Sequence, residues 1–118
     1  MTRIDVIPIG GRQFLIQLFR VATIPDHIGF GRYYEATCAI ELAEGSTILQ
    51  ECVVHRPKNR RNVTGDRHTD WLILLVKTDL TQTQLSSATI SVAPYGAELT
   101  DQEIATIGLL LGTTTAEG

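Results

Sequence analysis

The sequence predicts a small α+β domain in which an antiparallel β-meander sheet is followed by one C-terminal helix. Three observations support this class: a Gly-Gly pair between two β-rich segments, short apolar or alternating segments in the middle of the chain, and a capping motif before an amphipathic segment near the end. The 118 residues are 43% hydrophobic and 19% charged, which suits one globular domain over 1–118.

The first predicted element is a β-hairpin over 3–21. Two segments rich in β-forming residues flank Gly10-Gly11. A two-residue hairpin turn of this kind needs positive φ at both central positions, which glycine adopts without strain. We therefore expect the turn at Gly10-Gly11, followed by a connector over 23–31 that is rich in glycine.

A second hairpin is predicted from segments 32–43 and 47–56, with the turn at 44–46. This register sorts the two strands into one mostly apolar face and one mixed polar face. It also places Cys38 directly opposite Cys52 on the apolar face, where we interpret both as small core residues of a reducing compartment. Two cysteines without CxxC spacing exclude a disulfide scaffold and a structural zinc site.

The run over 71–76 is apolar at six consecutive positions, which indicates a strand covered on both faces. The segment 78–87 is polar and rich in small residues, and it is predicted to be a loop. Together with the strand that follows the loop, these segments extend the antiparallel sheet over 32–94.

The last strand is predicted over 88–93 and is closed by Pro94. An alternative would make 81–93 a first helix. Ile90 and Val92 are β-branched and alternate with polar residues at period 2, so the pattern favours the strand.

The C-terminal helix is predicted over 100–112. Thr100 and Glu103 have the spacing of a capping box, in which each side chain satisfies the backbone N–H of the other residue. The helix has one apolar stripe, which must be covered by a sheet of this chain or of a partner. The stripe consists of Ile104, Ile107 and Leu111.

The net charge of −3 conceals an uneven distribution. The window 55–68 holds five basic residues against one acidic residue, a charge of +4, whereas the remainder holds five basic against twelve acidic residues, a charge of −7. This pattern predicts a basic loop on an acidic body, either as a local electrostatic device or as a solvated loop. The basic residues of the window are Arg56, Lys58, Arg60, Arg61 and Arg67.

Signals for an enzyme are weak. The sequence has no nucleophile elbow, phosphate-binding loop or dinucleotide fingerprint. His27 beside Asp26 could act as a general base, and His68 between Asp66 and Asp70 could bind a metal, but a solvated loop is the more common setting for such histidines. His55 and Cys52 are three apart in a strand and so point to opposite faces. We therefore predict no catalytic residue, no metal, no cofactor and no small-molecule substrate.

The apolar runs are far shorter than the ~18 residues of a membrane span. The N-terminal residues also lack the apolar region of a signal peptide. We therefore expect a soluble protein made in a cytoplasm, with no membrane partner.

The order of these parts resembles the coat proteins of small single-stranded RNA bacteriophages, the leviviral family. The features are the hairpin at Gly10-Gly11, the basic stretch after a strand (53–62), the last strand ending in proline (88–94), and the capped helix after it. The resemblance covers most of the chain as a pattern. The second short helix usual in that family has only 113–118 left to form it.

The resemblance implies a structural capsid protein. Such proteins form two-fold dimers in which two sheets join edge to edge and each helix packs on the partner's sheet, and the dimers close into an icosahedral shell around single-stranded RNA. It further implies a virion location, with assembly in the cytoplasm of a bacterial host. The implied dimer contacts are Ile90, Val92, Ile104, Ile107 and Leu111.

In that family one face of the sheet binds RNA, often a hairpin that represses replicase translation. The residues that correspond by position, or that could attract phosphate, are Arg56, Lys58, Arg60, Arg61, Arg67, Lys77, Thr89 and Ser91. The mixed face of the second hairpin departs from this expectation because it carries Glu35, Glu41 and Glu51, which repel phosphate.

A different class of function stays open beside the capsid hypothesis. The chain would then be a small cytoplasmic α+β domain that binds nucleic acid or protein as a regulator. That alternative predicts a monomer or dimer with a concave pocket, whereas the capsid hypothesis predicts large closed particles. An uncharacterised small enzyme is a third alternative.

Overall fold

The computed structural model describes residues 3–21, 24–57 and 71–107. These residues form six strands and two short helices in one antiparallel sheet, which confirms a small, mostly β fold with a minor helical part. The elements are β1 (Arg3–Gly10), β2 (Gln13–Phe19), β3 (Tyr33–Glu41), β4 (Thr47–His55), β5 (Leu72–Lys77), α1 (Gln82–Ser86), β6 (Thr89–Glu98) and α2 (Asp101–Ile107).

The strand order is β1-β2-β5-β4-β3-β6. Strands β3, β4 and β5 form the expected meander, but β6 does not lie beside β5. It pairs with β3 at the far edge, while β2 pairs with β5 and brings the N-terminal hairpin into the same sheet. Strand β6 also runs past the predicted end at Pro94 to Glu98, because an edge strand needs no ladder N–H from that residue on its open side.

The turn of the first hairpin lies one residue later than predicted. Gly11 and Arg12 occupy its two central positions with φ of 61° and 63°. Gly10, with φ of 94°, closes β1 at an irregularity in the register between Pro8 and Gly10. Gly10 therefore lies at the register irregularity and not in the turn, and Arg12 takes the second turn position with positive φ.

The register of the second hairpin differs from the prediction by two residues. Cys38 lies opposite Gln50 and Cys52 opposite Ala36, so the two cysteines are diagonal neighbours and do not face each other. The turn lies one residue earlier, over 43–45, where the Leu42 N–H donates to the Ser46 carbonyl at 2.8 Å and Gly45 adopts a positive φ of 108°. A shift of two residues leaves the faces unchanged, and both cysteines are buried and reduced, as predicted.

The main core lies on the face that carries the even-numbered residues of the central strands, among them Ile16, Ile40 and Val54. The connector covers this face through Ile28, and α1 covers it through Leu85. Both side chains are almost fully buried, at 1% and 0% exposure.

Strand β5 is covered on both faces, as its apolar run predicted. Leu72 and Leu74 point into the main core, whereas Ile73 joins Leu15 and Trp71 in a smaller cluster on the opposite face. Because apolar clusters cover both faces of β5, its sequence does not alternate between apolar and polar residues.

The segment 78–87, predicted to be a loop, contains α1. Thr81 accepts a hydrogen bond from the Gln84 backbone N–H, and the Gln84 side chain accepts one from the Thr81 N–H, which forms a capping box. The T-x-x-Q spacing was the available signal. The helix stops at Ser86, so the choice of a strand over a helix for 88–93 is confirmed.

Helix α2 begins where its capping box predicted. The Thr100 hydroxyl accepts from the Glu103 N–H at 3.1 Å, and Glu103 Oε1 accepts from the Thr100 N–H at 2.8 Å. The predicted continuation over 108–112 lies outside the described residues. Neither of the two helices in the described part of the chain has the length and apolar character needed to cross a membrane.

Candidate functional site

An open groove of about 800 Å³ lies between the odd-numbered face of the sheet and the segment that contains α2. We call it the sheet-face groove. Val53 and Leu75 contribute apolar surface, and Glu35 and Glu51 contribute carboxylates. Lys77 is the one basic side chain among the described residues that line it. The groove is therefore amphipathic and carries a net negative charge.

The pairing of β3 with β4 positions the two carboxylates. Glu35 lies opposite Val53, and Glu51 lies opposite Thr37, so the two glutamates are diagonal neighbours on one face. Diagonal neighbours of this kind are about 7–8 Å apart. Both are exposed, and neither has an ion-pair partner within the described ranges.

Helix α2 borders the groove with its polar side. Thr100, Glu103 and Thr106 line the groove, and their three-residue spacing puts them on one side of the helix. Ile104 is half-buried and belongs to neither apolar cluster of the described residues. The polar side thus faces this chain's own sheet, whereas Ile104 lies outside the apolar clusters that the described residues form.

The glycine at 96 lets β6 approach β3 closely beside the groove. A Cβ at this position would lie 3.0 Å from the Glu35 backbone oxygen. Because that neighbour is backbone, it cannot move aside without disturbing the β3–β6 pairing.

Of the residues predicted to bind RNA, Lys77, Thr89 and Ser91 share the odd-numbered face of the sheet. Lys77 lines the groove, whereas Thr89 and Ser91 are exposed on the edge strand, opposite Glu41 and Ala39. Strands β4 and β3 separate Lys77 from the other two. The structure therefore places acidic side chains beside these candidates and does not gather them into a basic patch.

Arg56 lies apart from that face. Its guanidinium donates to the Ile28 carbonyl at 2.8 Å and lies over the Phe30 ring at 4.0 Å. It thereby ties the end of β4 to the connector. The remaining basic candidates lie outside the described residues: Lys58, Arg60, Arg61 and Arg67.

The predicted dimer contacts separate into two groups. Ile90 is 4% exposed in the main core, and Val92 packs against that core, so both already contact residues of their own chain. Ile104 does not. The side chain of Ile107 and the whole of Leu111 lie outside what the structure describes.

His55 is buried at 5% exposure and stacks on Tyr33 with the ring centroids 4.2 Å apart. Its Nδ1 donates to the Arg32 carbonyl at 3.0 Å, and burial lowers the pKa of the imidazole. His27 is exposed in the connector, and His68 lies outside the described residues. The structure thus gives His55 a packing role.

Both thiols are buried, and the hydrogen bond between them lowers the pKa of the Cys38 thiol. A hydrogen bond to Cys38 and burial both raise the pKa of the Cys52 thiol, which favours the protonated form. Within the ranges 3–21, 24–57 and 71–107, no group of three or more His, Cys, Asp or Glu residues could hold a metal ion.

The sequence pattern did not predict the groove. Its signal was the set of glutamates at odd-numbered positions of the second hairpin, which indicated an acidic face but not the segment that closes over it. No protein-family model, curated protein or solved structure matches this chain.

Proposed function

We propose that this chain is a non-enzymatic shell protein that dimerises, assembles into an icosahedral capsid and packages single-stranded RNA. Its site of action would be the virion, assembled in the cytoplasm of a bacterial host. Recognition of a specific RNA hairpin as a translational repressor is a secondary part of this proposal. The proposal takes its functional class from the leviviral resemblance of the sequence and its physical support from the features below.

The observation that carries the proposal is an open sheet edge that leads directly into a helix whose apolar residue Ile104 is only half-buried. Strand β6 is the last strand of the sheet, and its outer side pairs with no strand of the described chain. Such an edge pairs readily with a second copy. Helix α2 follows at once, and its Ile104 lies outside both apolar clusters. A partner's surface would cover both features together.

The charge distribution supports an RNA role. Five of the ten basic residues lie in the window 55–68, a density suited to counterion release from phosphates. Arg56 is engaged with the connector, so the other four basic residues of this window are the candidates for phosphate contact.

The test is size-exclusion chromatography of the recombinant chain with the 260/280 nm absorbance ratio, followed by negative-stain imaging of the leading peak. We expect uniform hollow particles in the void volume with a nucleic-acid-like ratio. A single peak at the 13.0 kDa of the chain or at twice that mass, with a protein-like ratio unchanged by added RNA, would overturn the proposal.

A matched pair of variants tests the role of α2. Ile104→Glu should abolish the particles while circular dichroism shows a folded chain, because a charge would replace the apolar contact. Ala105→Glu adds the same charge at an exposed position of the same helix and should leave the particles intact. Equal effects of the two variants would count against this contact.

A second candidate function is favoured by the sheet-face groove. A small regulatory domain that binds a protein or nucleic-acid partner would use such a concave, amphipathic surface. The same chromatography distinguishes the two, because this candidate predicts a monomer or dimer without nucleic acid.

A further inference from the structure

The sheet-face groove has more negative charge than its own residues neutralise. Glu35 and Glu51 are exposed and without an ion-pair partner among the described residues, and Glu103 stands on the opposite wall. Lys77 is the single basic side chain that the described lining supplies. An RNA phosphate would be repelled here, whereas a cationic group would be attracted.

The chemistry of the groove suits arginine in particular. A guanidinium presents planar N–H donors that match a carboxylate in a two-bonded arrangement. Two carboxylates about 7–8 Å apart can each hold one guanidinium. The apolar surface of Val53 and Leu75 suits the methylene stem that carries each charged head.

The chain itself contains a segment of that chemistry. Residues 58–67 hold four basic side chains, three of them arginine, against Asp66, a net charge of +3. We propose that the sheet-face groove binds this arginine-rich segment of a second copy of the chain. The inference rests on the self-association proposed above and names a contact by which copies associate beyond the two-fold dimer.

Such a contact would differ in kind from a two-fold contact. The groove and the segment are different surfaces, so each copy offers one of each and the contact is heterologous. A heterologous contact links copies in series, which closes into rings or shells when the rotation permits. The basic window, at +4, would then offset part of the −7 charge on the remainder of a neighbouring copy.

Charge reversal of full-length chains tests the proposal. The first variant reverses the groove (Glu35→Arg/Glu51→Arg), and the second reverses the segment (Arg60→Glu/Arg61→Glu). Alone, each should raise the concentration for half-assembly by roughly tenfold, as two charge-assisted pairs are lost. A 1:1 mixture should recover the wild-type value to within about threefold, because each variant's groove then matches the other's segment.

The control variant Glu41→Arg/Glu44→Arg makes the same charge change on the same hairpin outside the groove and should assemble like the wild type. If either reversed chain fails to fold by circular dichroism, Glu35→Gln/Glu51→Gln replaces the groove reversal and should still weaken assembly.

Two results would overturn the inference and leave the proposed shell function intact. One is that the wild type assembles and each reversed variant, measured separately, assembles at the same concentration. The other is a 1:1 mixture whose concentration for half-assembly stays as high as that of the single variants, since a contact between copies must be restored by complementary chains. A wild type that forms no particles would instead overturn the proposed function itself.

Discussion

At the scale of single residues, a few side chains hold parts of the chain that the sheet hydrogen bonds do not reach. Leu85 is the one buried residue of α1, and it joins that helix to the main core. Arg56 bonds the Ile28 carbonyl and so joins the end of β4 to the connector. His55 fills the space between Tyr33 and the Arg32 carbonyl as a neutral ring.

We expect Leu85→Ala to lower the free energy of unfolding by about 2–5 kcal/mol, because it removes a fully buried side chain and leaves a cavity. Urea unfolding followed by circular dichroism measures this change. Thr83→Ala, exposed in the same helix, should change it by less than about 0.5 kcal/mol. Similar values for the two variants would show that α1 is not anchored through Leu85.

Stability should fall as the pH drops below the ordinary histidine pKa of 6.5. Burial lowers the pKa of His55 in the folded state, so below pH 6.5 the unfolded state binds this proton more readily than the folded state. The stabilisation from neutral His55 is present in full above pH 6.5 and is lost as the pH falls toward the lowered pKa of the folded state. Urea unfolding midpoints measured between pH 5.5 and 8 report this change in stability.

The control for this pH dependence is His27, which is exposed in the connector. His55→Gln should flatten the slope between pH 5.5 and 7, whereas His27→Gln should leave it unchanged. An unchanged slope in His55→Gln would assign the effect to other groups.

At the scale of elements, patterns that act locally predicted more than patterns that depend on neighbours. The capping box placed the start of α2, and the uniform apolar run identified β5 as a strand covered on both faces. The predicted positions of the two hairpin turns were each wrong by one residue. The register irregularity after Pro8 moves the first turn, and the positive φ of Gly45 goes with the shift of the second. Neither effect can be read from the residue types around the turn. The prediction of which side chains share a face of the second hairpin was still correct, because the register differs by two residues.

The close approach of β6 to β3 depends on the glycine at 96. Gly96→Ala places a Cβ 3.0 Å from the Glu35 backbone oxygen, and we expect a loss of about 1–3 kcal/mol in the free energy of unfolding. Hydrogen exchange should become faster along β6, which pairs only with β3 among the described strands. Ala97→Ser, exposed on the same strand, is the control and should behave like the wild type.

At the scale of the whole molecule, the distribution of charge is the most distinctive property. The odd-numbered face carries exposed glutamates beside the groove, while half of the basic residues lie in one window of the sequence. If the chain packages RNA, the phosphate contacts should therefore come mainly from those basic side chains of that window that do not occupy the groove of another copy, and they should weaken with salt.

We expect Arg60→Gln/Arg61→Gln to lower the nucleic-acid content of the purified assemblies, measured by the 260/280 nm ratio, and to reduce the salt dependence of binding to a single-stranded RNA. Arg12→Gln/Arg32→Gln removes the same charge from exposed positions outside the window and should preserve both properties. These two arginines form surface ion pairs, which contribute little to stability. Equal losses in the two variants would indicate that net charge alone governs RNA content.

The sequence by itself determined the class of the fold, the faces of the strands, the double burial of β5, the start of α2 and the uneven charge, because each depends on periodicity, capping or composition within a short window. Only the tertiary structure decided that β6 lies against β3, that α1 exists and is anchored by Leu85, and that α2 closes a groove over Glu35 and Glu51. The physical reason is that pairing order and register depend on contacts between residues far apart in the chain. No local pattern encodes which strand edges and which side chains will meet.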